Sequence, residues 1–155
     1  MSRFKKVLSL AVVAVMALSL AVGCSSGAGQ GNKSTGDTIK IGLNYELSGT
    51  VAAYGQSSRD GILMAFDEIN AKGGVLGKKI EPIVMDNSSK ADEATSVTTK
   101  LVNQEKVVAV LGPATSGAFK ATIPPATKRK VPILSSSATA DDVTVDKNGV
   151  KEYVF

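Results

Sequence analysis

Apolar positions along residues 38–155 switch repeatedly between a period of two and a period near 3.6, and the switches predict the elements. In "TIKIGLNYEL" (38–47), Ile39, Ile41 and Leu43 occupy every second position, the pattern of a strand. "SGTVAAYG" (48–55) then supplies loop residues. From Gln56 onward Ile62, Ala65, Phe66 and Ile69 recur at i, i+3, i+4 and i+7, one face of a helix. "KGG" (72–74) stops that helix, because glycine accepts the left-handed conformation that follows a last turn. "KKIEPIVMDN" (78–87) predicts a second strand, and Pro82, which cannot donate to a ladder, assigns it to an edge or a bulge.

A second helix is expected over 90–104, burying Ala94, Val97, Leu101 and Val102. "VVAVLG" (107–112) is a continuous apolar run, as found where a parallel strand is covered on both faces. Residues 116–130 have a helical pattern, but Pro124 and Pro125 predict a kink or two short helices. "VPILSSS" (131–137) is a fourth strand, and "VDKNGVKEYVF" (145–155) offers a turn at Asn148-Gly149 followed by another strand. The alternation predicts an α/β fold: a mostly parallel open sheet with helices on both faces and right-handed crossovers.

The first residues belong to a different chemistry. Arg3, Lys5 and Lys6 precede an apolar run over 7–22 interrupted only by Ser9 and Ser19. The run is shorter than the about 20 residues of a membrane span, and it fits a secretory signal. "LAVGC" places Cys24, the only cysteine, directly after that run. This junction resembles the lipobox of bacterial lipoproteins, with Ala21 where leucine is most frequent. The resemblance implies cleavage before Cys24, lipid on its thiol, and attachment to a membrane outside the cytoplasm. A lone cysteine forms no disulfide within the chain, although the compartment permits one. "SSGAGQGNKSTG" (25–36) has the Gly/Ser composition of a flexible tether. The expected division is therefore a signal over 1–23, a lipidated cysteine and linker over 24–36, and a folded domain over 37–155.

Charge excludes one class of partner. The formal net charge of +4 falls to +1 once the three basic residues before Cys24 are set aside, so no nucleic-acid footprint remains. "KRK" (128–130) is read as the favourable basic end of a helix.

Catalytic signatures are missing. The chain holds no histidine, which removes Ser-His-Asp catalysis and His-ligated metal sites. "GPATSG" (112–117) is not a nucleophile elbow, and Ser116 has no base in its sequence neighbourhood. "GGVLGKK" (73–79) is one residue short of a phosphate loop and has Lys79 at the magnesium-binding position. No G-x-G-x-x-G follows the first strand. No catalytic residue, metal or cofactor is expected.

Two small polar clusters remain, "GPATSG" after the third strand and "SSSATADD" (135–142) after the fourth. Both fall at carboxyl ends of strands predicted to be parallel, where open α/β sheets bind ligands. Helix starts at that edge present free N–H groups that suit a carboxylate. Ser116 and Thr139 are either caps or anion contacts, two compatible roles. Tyr54, in the loop after the first strand, either packs on the next helix or walls an apolar pocket.

The stretch 38–87 resembles the start of the branched-chain amino-acid-binding proteins, type I periplasmic substrate-binding proteins of ABC importers. Leu47-Ser48-Gly49, Tyr54-Gly55, Gly61, Ala65, Ile69-Asn70, Gly73-Gly74 and Gly77 match that family's pattern, and the similarity continues through "VVAVLGPATSG" and "VPILSSSATA". The resemblance implies a two-lobed binder that closes on an amino acid and docks on an ABC permease. By matching position it assigns Ser116, Ser137, Ala138 and Thr139 to the ligand's carboxylate and amino groups, and Tyr54 to its side chain. Ser137 stands where alanine is usual, which leaves the solute less defined. Family members are more than twice this length, so 37–155 is expected to be the first lobe of a longer protein. A sensory ectodomain of the same fold is the competing expectation, and an exported doubly wound hydrolase a distant third.

Overall fold

The computed structural model describes residues 38–155; Cys24, the signal and the linker lie outside the described residues. Strand β1 (Ile39–Tyr45) pairs in parallel with β2 (Ile80–Asp86) on one side and β3 (Ala109–Leu111) on the other, and β3 pairs in parallel with β4 (Ile133–Leu134). The order β2-β1-β3-β4 makes β1 central. Its residues from Gly42 to Tyr45 are accordingly all buried, on both sides of the pleat. The edge position of β2 accommodates Pro82, as predicted.

Helix α1 (Ala52–Ala71) covers one face, where Leu43, Tyr45 and Ala114 gather Ile62, Leu63 and Phe66. Helices α2 (Ala91–Lys100) and α3 (Ser116–Lys128) cover the other, over Leu101, Val110, Phe119, Ala126 and Ile133. A π-helical turn (Leu101–Glu105) continues α2 and drives Leu101 against β1. A Cβ on Gly42 would meet the Leu101 side chain at 2.9 Å, so any larger residue there would push Leu101 aside.

Polar residues also enter this second face. Asn44 donates to the Ala94 carbonyl (2.8 Å) and to Thr98 Oγ1 (2.9 Å), and accepts from Asn87 Nδ2 (3.0 Å). All three side chains are fully buried, and their mutual bonds offset the cost of removing them from water. At the end of α1, Gly74 N–H returns to the Ile69 carbonyl (2.9 Å), and Asn70 makes two bonds to the Ile80 backbone, fixing where β2 begins.

Three expectations are corrected. The prolines do not divide α3, which runs unbroken through Pro124 and Pro125. Pro125 leaves the Ala121 carbonyl without its helical donor, and Thr95 Oγ1 of α2 donates to it at 3.0 Å. Tyr54 is not in a loop, because α1 already begins at Ala52. No helix starts after Thr139 among the described residues, which removes its role as a cap. The final residues instead form a hairpin, β5 (Val145–Asp146) with β6 (Gly149–Val150), before Val154 bridges in parallel to Ile133.

Candidate functional site

Three loops leave the carboxyl edge of the sheet, after β1, β3 and β4, and hydrogen bonds join them. Glu46 directly follows β1 and is fully buried. Its Oε2 accepts the Ala114 N–H (3.0 Å), and its Oε1 accepts the Thr115 N–H (3.1 Å) and the Thr115 hydroxyl (2.7 Å). Thr115 is the cap position of α3, yet it makes no side-chain bond to its own helix. Glu46 therefore takes up donors at the start of α3 from inside the protein, where an anion is favoured by the helix dipole.

The loop after β4 is tied to the same turn. Ser135 Oγ donates to the Pro113 carbonyl (2.7 Å) and accepts the Ala138 N–H (3.0 Å). Ser137 Oγ donates to the Ala114 carbonyl (2.8 Å), and Ser116 Oγ accepts the Ala140 N–H (3.2 Å). Gly112 allows the close crossing beneath: its φ is +87°, and a Cβ there would lie 2.3 Å from the Asn44 carbonyl oxygen.

The loop after β1 is organised from β2. Asp86 Oδ1 accepts the N–H groups of Leu47 (2.9 Å), Ser48 (3.2 Å) and Ser88 (2.7 Å), while its Oδ2 accepts the Ser48 hydroxyl (2.6 Å). Loss of water opposes ionisation of Asp86, but the bonds from Ser48, Ser88 and Leu47 hold its carboxyl below the usual value. Burial pushes the Tyr45 hydroxyl up, with Ser136 opposing and the Glu46 charge adding to the rise. The buried Tyr45 thus stays neutral beneath the site.

The five residues expected at a ligand site lie in the first turn of α1 or in the segments that follow β3 and β4, and two of them share a depression. Tyr54, in the first turn of α1, and Ser137 line one depression of about 320 Å³ together with Ala53, Ser57 and Ser58. Tyr54 is 67% exposed and takes no part in the core. Ser116 is the first residue of α3 and not its cap. Ala138 packs against the α2–α3 core, and Thr139 is exposed between it and Ala140. Gly55 explains the pairing of tyrosine with glycine: a Cβ there would lie 2.2 Å from the Glu46 carbonyl oxygen. Only glycine lets α1 descend far enough to bring Tyr54 to the edge.

Sequence reasoning passed over Glu46, Asp86 and Thr115. Glu46 shares the parity of Gly42 and Asn44, the polar face of an alternating strand, and only the central place of β1 in the sheet buries that face. Asp86 and Thr115 were no more legible, because Leu47 and Ser48, which bond Asp86, and Glu46, which bonds Thr115, are remote in sequence.

The geometry has relatives. Residues 38–155 match the family described as periplasmic binding protein. A Leu/Ile/Val-binding protein of Rhizobium johnstonii is 37% identical over 106 residues, 68% of this chain and 29% of the relative. A leucine-, isoleucine-, valine-, threonine- and alanine-binding protein of Pseudomonas aeruginosa is 36% identical over 108 residues, 70% of this chain and 29% of its own length. Among solved structures, a branched-chain amino acid transporter substrate-binding protein from Streptococcus pneumoniae, in complex with isoleucine, is 56% identical. It superposes with a TM-score of 0.69 over 70% of this chain and 31% of the other. The chain thus spans less than a third of the length of these relatives.

Proposed function

Because the chain belongs to the periplasmic binding protein family, we propose that it forms the first ligand-capturing lobe of an extracytoplasmic solute-binding protein, serving an ABC importer. The solute is a branched-chain or similar amino acid. The observation that carries this reading is the 56% identity, over 70% of this chain, to a protein solved with isoleucine. The site's own chemistry agrees with it. The start of α3 and the Ser116 hydroxyl offer donors to a carboxylate. Thr139 and the backbone of Ser137 and Ala138 supply polar contacts beside it, and the exposed Tyr54 ring offers apolar surface to a branched side chain.

The reading is capture rather than catalysis. Hydroxyls and backbone groups can hold an amino acid, but a chain without histidine places no such base beside Ser116. Capture is completed by a second lobe, since a ligand favours a closed state only through contacts that the open state lacks. The closed form is then what a permease recognises. We place the protein outside the cytoplasmic membrane, held by lipid on Cys24.

Thermal melting of the complete protein that carries this sequence tests the solute class. Isoleucine, leucine or valine should raise the melting temperature. No shift from any amino acid, amide or urea would refute the class. Labelled palmitate should appear in the wild-type protein and be lost in Cys24→Ser; equal labelling would remove the anchor.

A further inference from the structure

We propose that Glu46 is a positioning residue for the ligand's carboxylate: from a fully buried place it sets the turn that presents Ser116. The inference rests on the amino-acid reading above. Glu46 does not face the crevice, and both its oxygens are taken by Ala114 and Thr115, the two residues immediately before Ser116. Those bonds fix the orientation in which α3 begins. From that turn Ser137 Oγ reaches the Ala114 carbonyl, and Ser116 Oγ receives the Ala140 N–H, so the loop carrying Ala138 and Thr139 takes its place from the same turn. On its other side, the Glu46 backbone is the surface on which Gly55 rests, one residue from Tyr54. One inaccessible side chain and its backbone therefore locate every residue expected to touch the solute.

The charge state of the side chain matters to this arrangement. An ionised carboxylate accepts at both oxygens, whereas an amide of the same shape accepts at one and donates at the other. Glu46→Gln sets an amide N–H against the Ala114 or Thr115 N–H, which turns the start of α3 away without changing side-chain volume. The alteration falls on the groups that meet a carboxylate and spares the Tyr54 wall.

The test is isothermal titration of the complete protein with isoleucine and with isoleucinol, which lacks the carboxylate. Glu46→Gln should weaken isoleucine about tenfold or more and isoleucinol by less than about threefold, so the preference for the acid shrinks. Thr115→Val, which removes one donor to Glu46, should move the same ratio in the same direction by less, and it carries the comparison if Glu46→Gln does not fold. Equal losses for both ligands, or an unchanged ratio in both variants, would overturn the inference and leave Glu46 a purely structural group. Wild-type protein that binds neither ligand refutes the amino-acid reading itself, an outcome separate from any behaviour of the variants.

Discussion

Glu46 and Asp86 stand at the carboxyl ends of adjacent strands and use the same device, one carboxylate gathering N–H and hydroxyl donors from a loop. They differ in their access to water. Asp86 is exposed and ties the start of the β1–α1 loop to the loop that follows β2. Glu46 is fully buried and ties together turns far apart in sequence. Solvent can replace each bond that Asp86 loses, whereas nothing replaces those of Glu46. The same chemistry is therefore local trim in one place and a fixed support of the site in the other.

The comparison can be broken most forcefully through Gly55. Gly55→Ala puts a methyl group 2.2 Å from the Glu46 carbonyl oxygen, which forces α1 off the sheet. A loss of about 3 kcal/mol is expected in urea unfolding of the complete protein, with ligand affinity falling alongside. Glu46→Gln is expected to cost about 2 kcal/mol, because buried donors are left opposed to donors. Asp86→Asn should cost less than about 1 kcal/mol in the same measurement, since water screens and substitutes at an exposed carboxylate. An Asp86→Asn loss equal to that of Glu46→Gln would erase the distinction between the two groups.

Acid titration gives the smallest effect and the clearest sign. The carboxyl of Asp86 is held below its ordinary value of 3.8 in the folded protein. A depressed folded value means that its contribution is fully present above 3.8 and disappears as the pH falls through the lower folded value. The difference in unfolding midpoint between wild type and Asp86→Asn should thus be constant near neutrality and shrink only below 3.8. A difference that shrinks well above that value would assign the acid sensitivity to another group.

Much of this architecture was legible in the sequence, and the reasons differ by element. The strand pattern of 38–47, the glycines after α1 and the edge proline of β2 are local signals, and each placed its element. The helical pattern after Ser116 was legible, but its unbroken passage through Pro124 and Pro125 was not, because the Thr95 hydroxyl that supplies the Ala121 carbonyl comes from α2. Tyr54 was assigned to a loop because the apolar helical period starts only after Gln56, whereas α1 begins at Ala52 and Gly55 gives it close approach to Glu46. Ser116 and Ser137 could be chosen from position and resemblance. Their engagement with Ala140 and Ala114 depends on β3 and β4 lying side by side, which periodicity does not specify.

Under the proposed function, this edge of the sheet holds the carboxylate of a branched-chain amino acid through Ser116. Calorimetric titration of isoleucine into the complete protein, wild type against Ser116→Ala, tests it most directly. The account predicts saturable one-to-one binding that the substitution weakens by roughly 1–3 kcal/mol, or about fivefold to 150-fold, while the unfolding midpoint without ligand shifts little. No heat of binding in the wild type, or equal affinity in the two proteins, would contradict it.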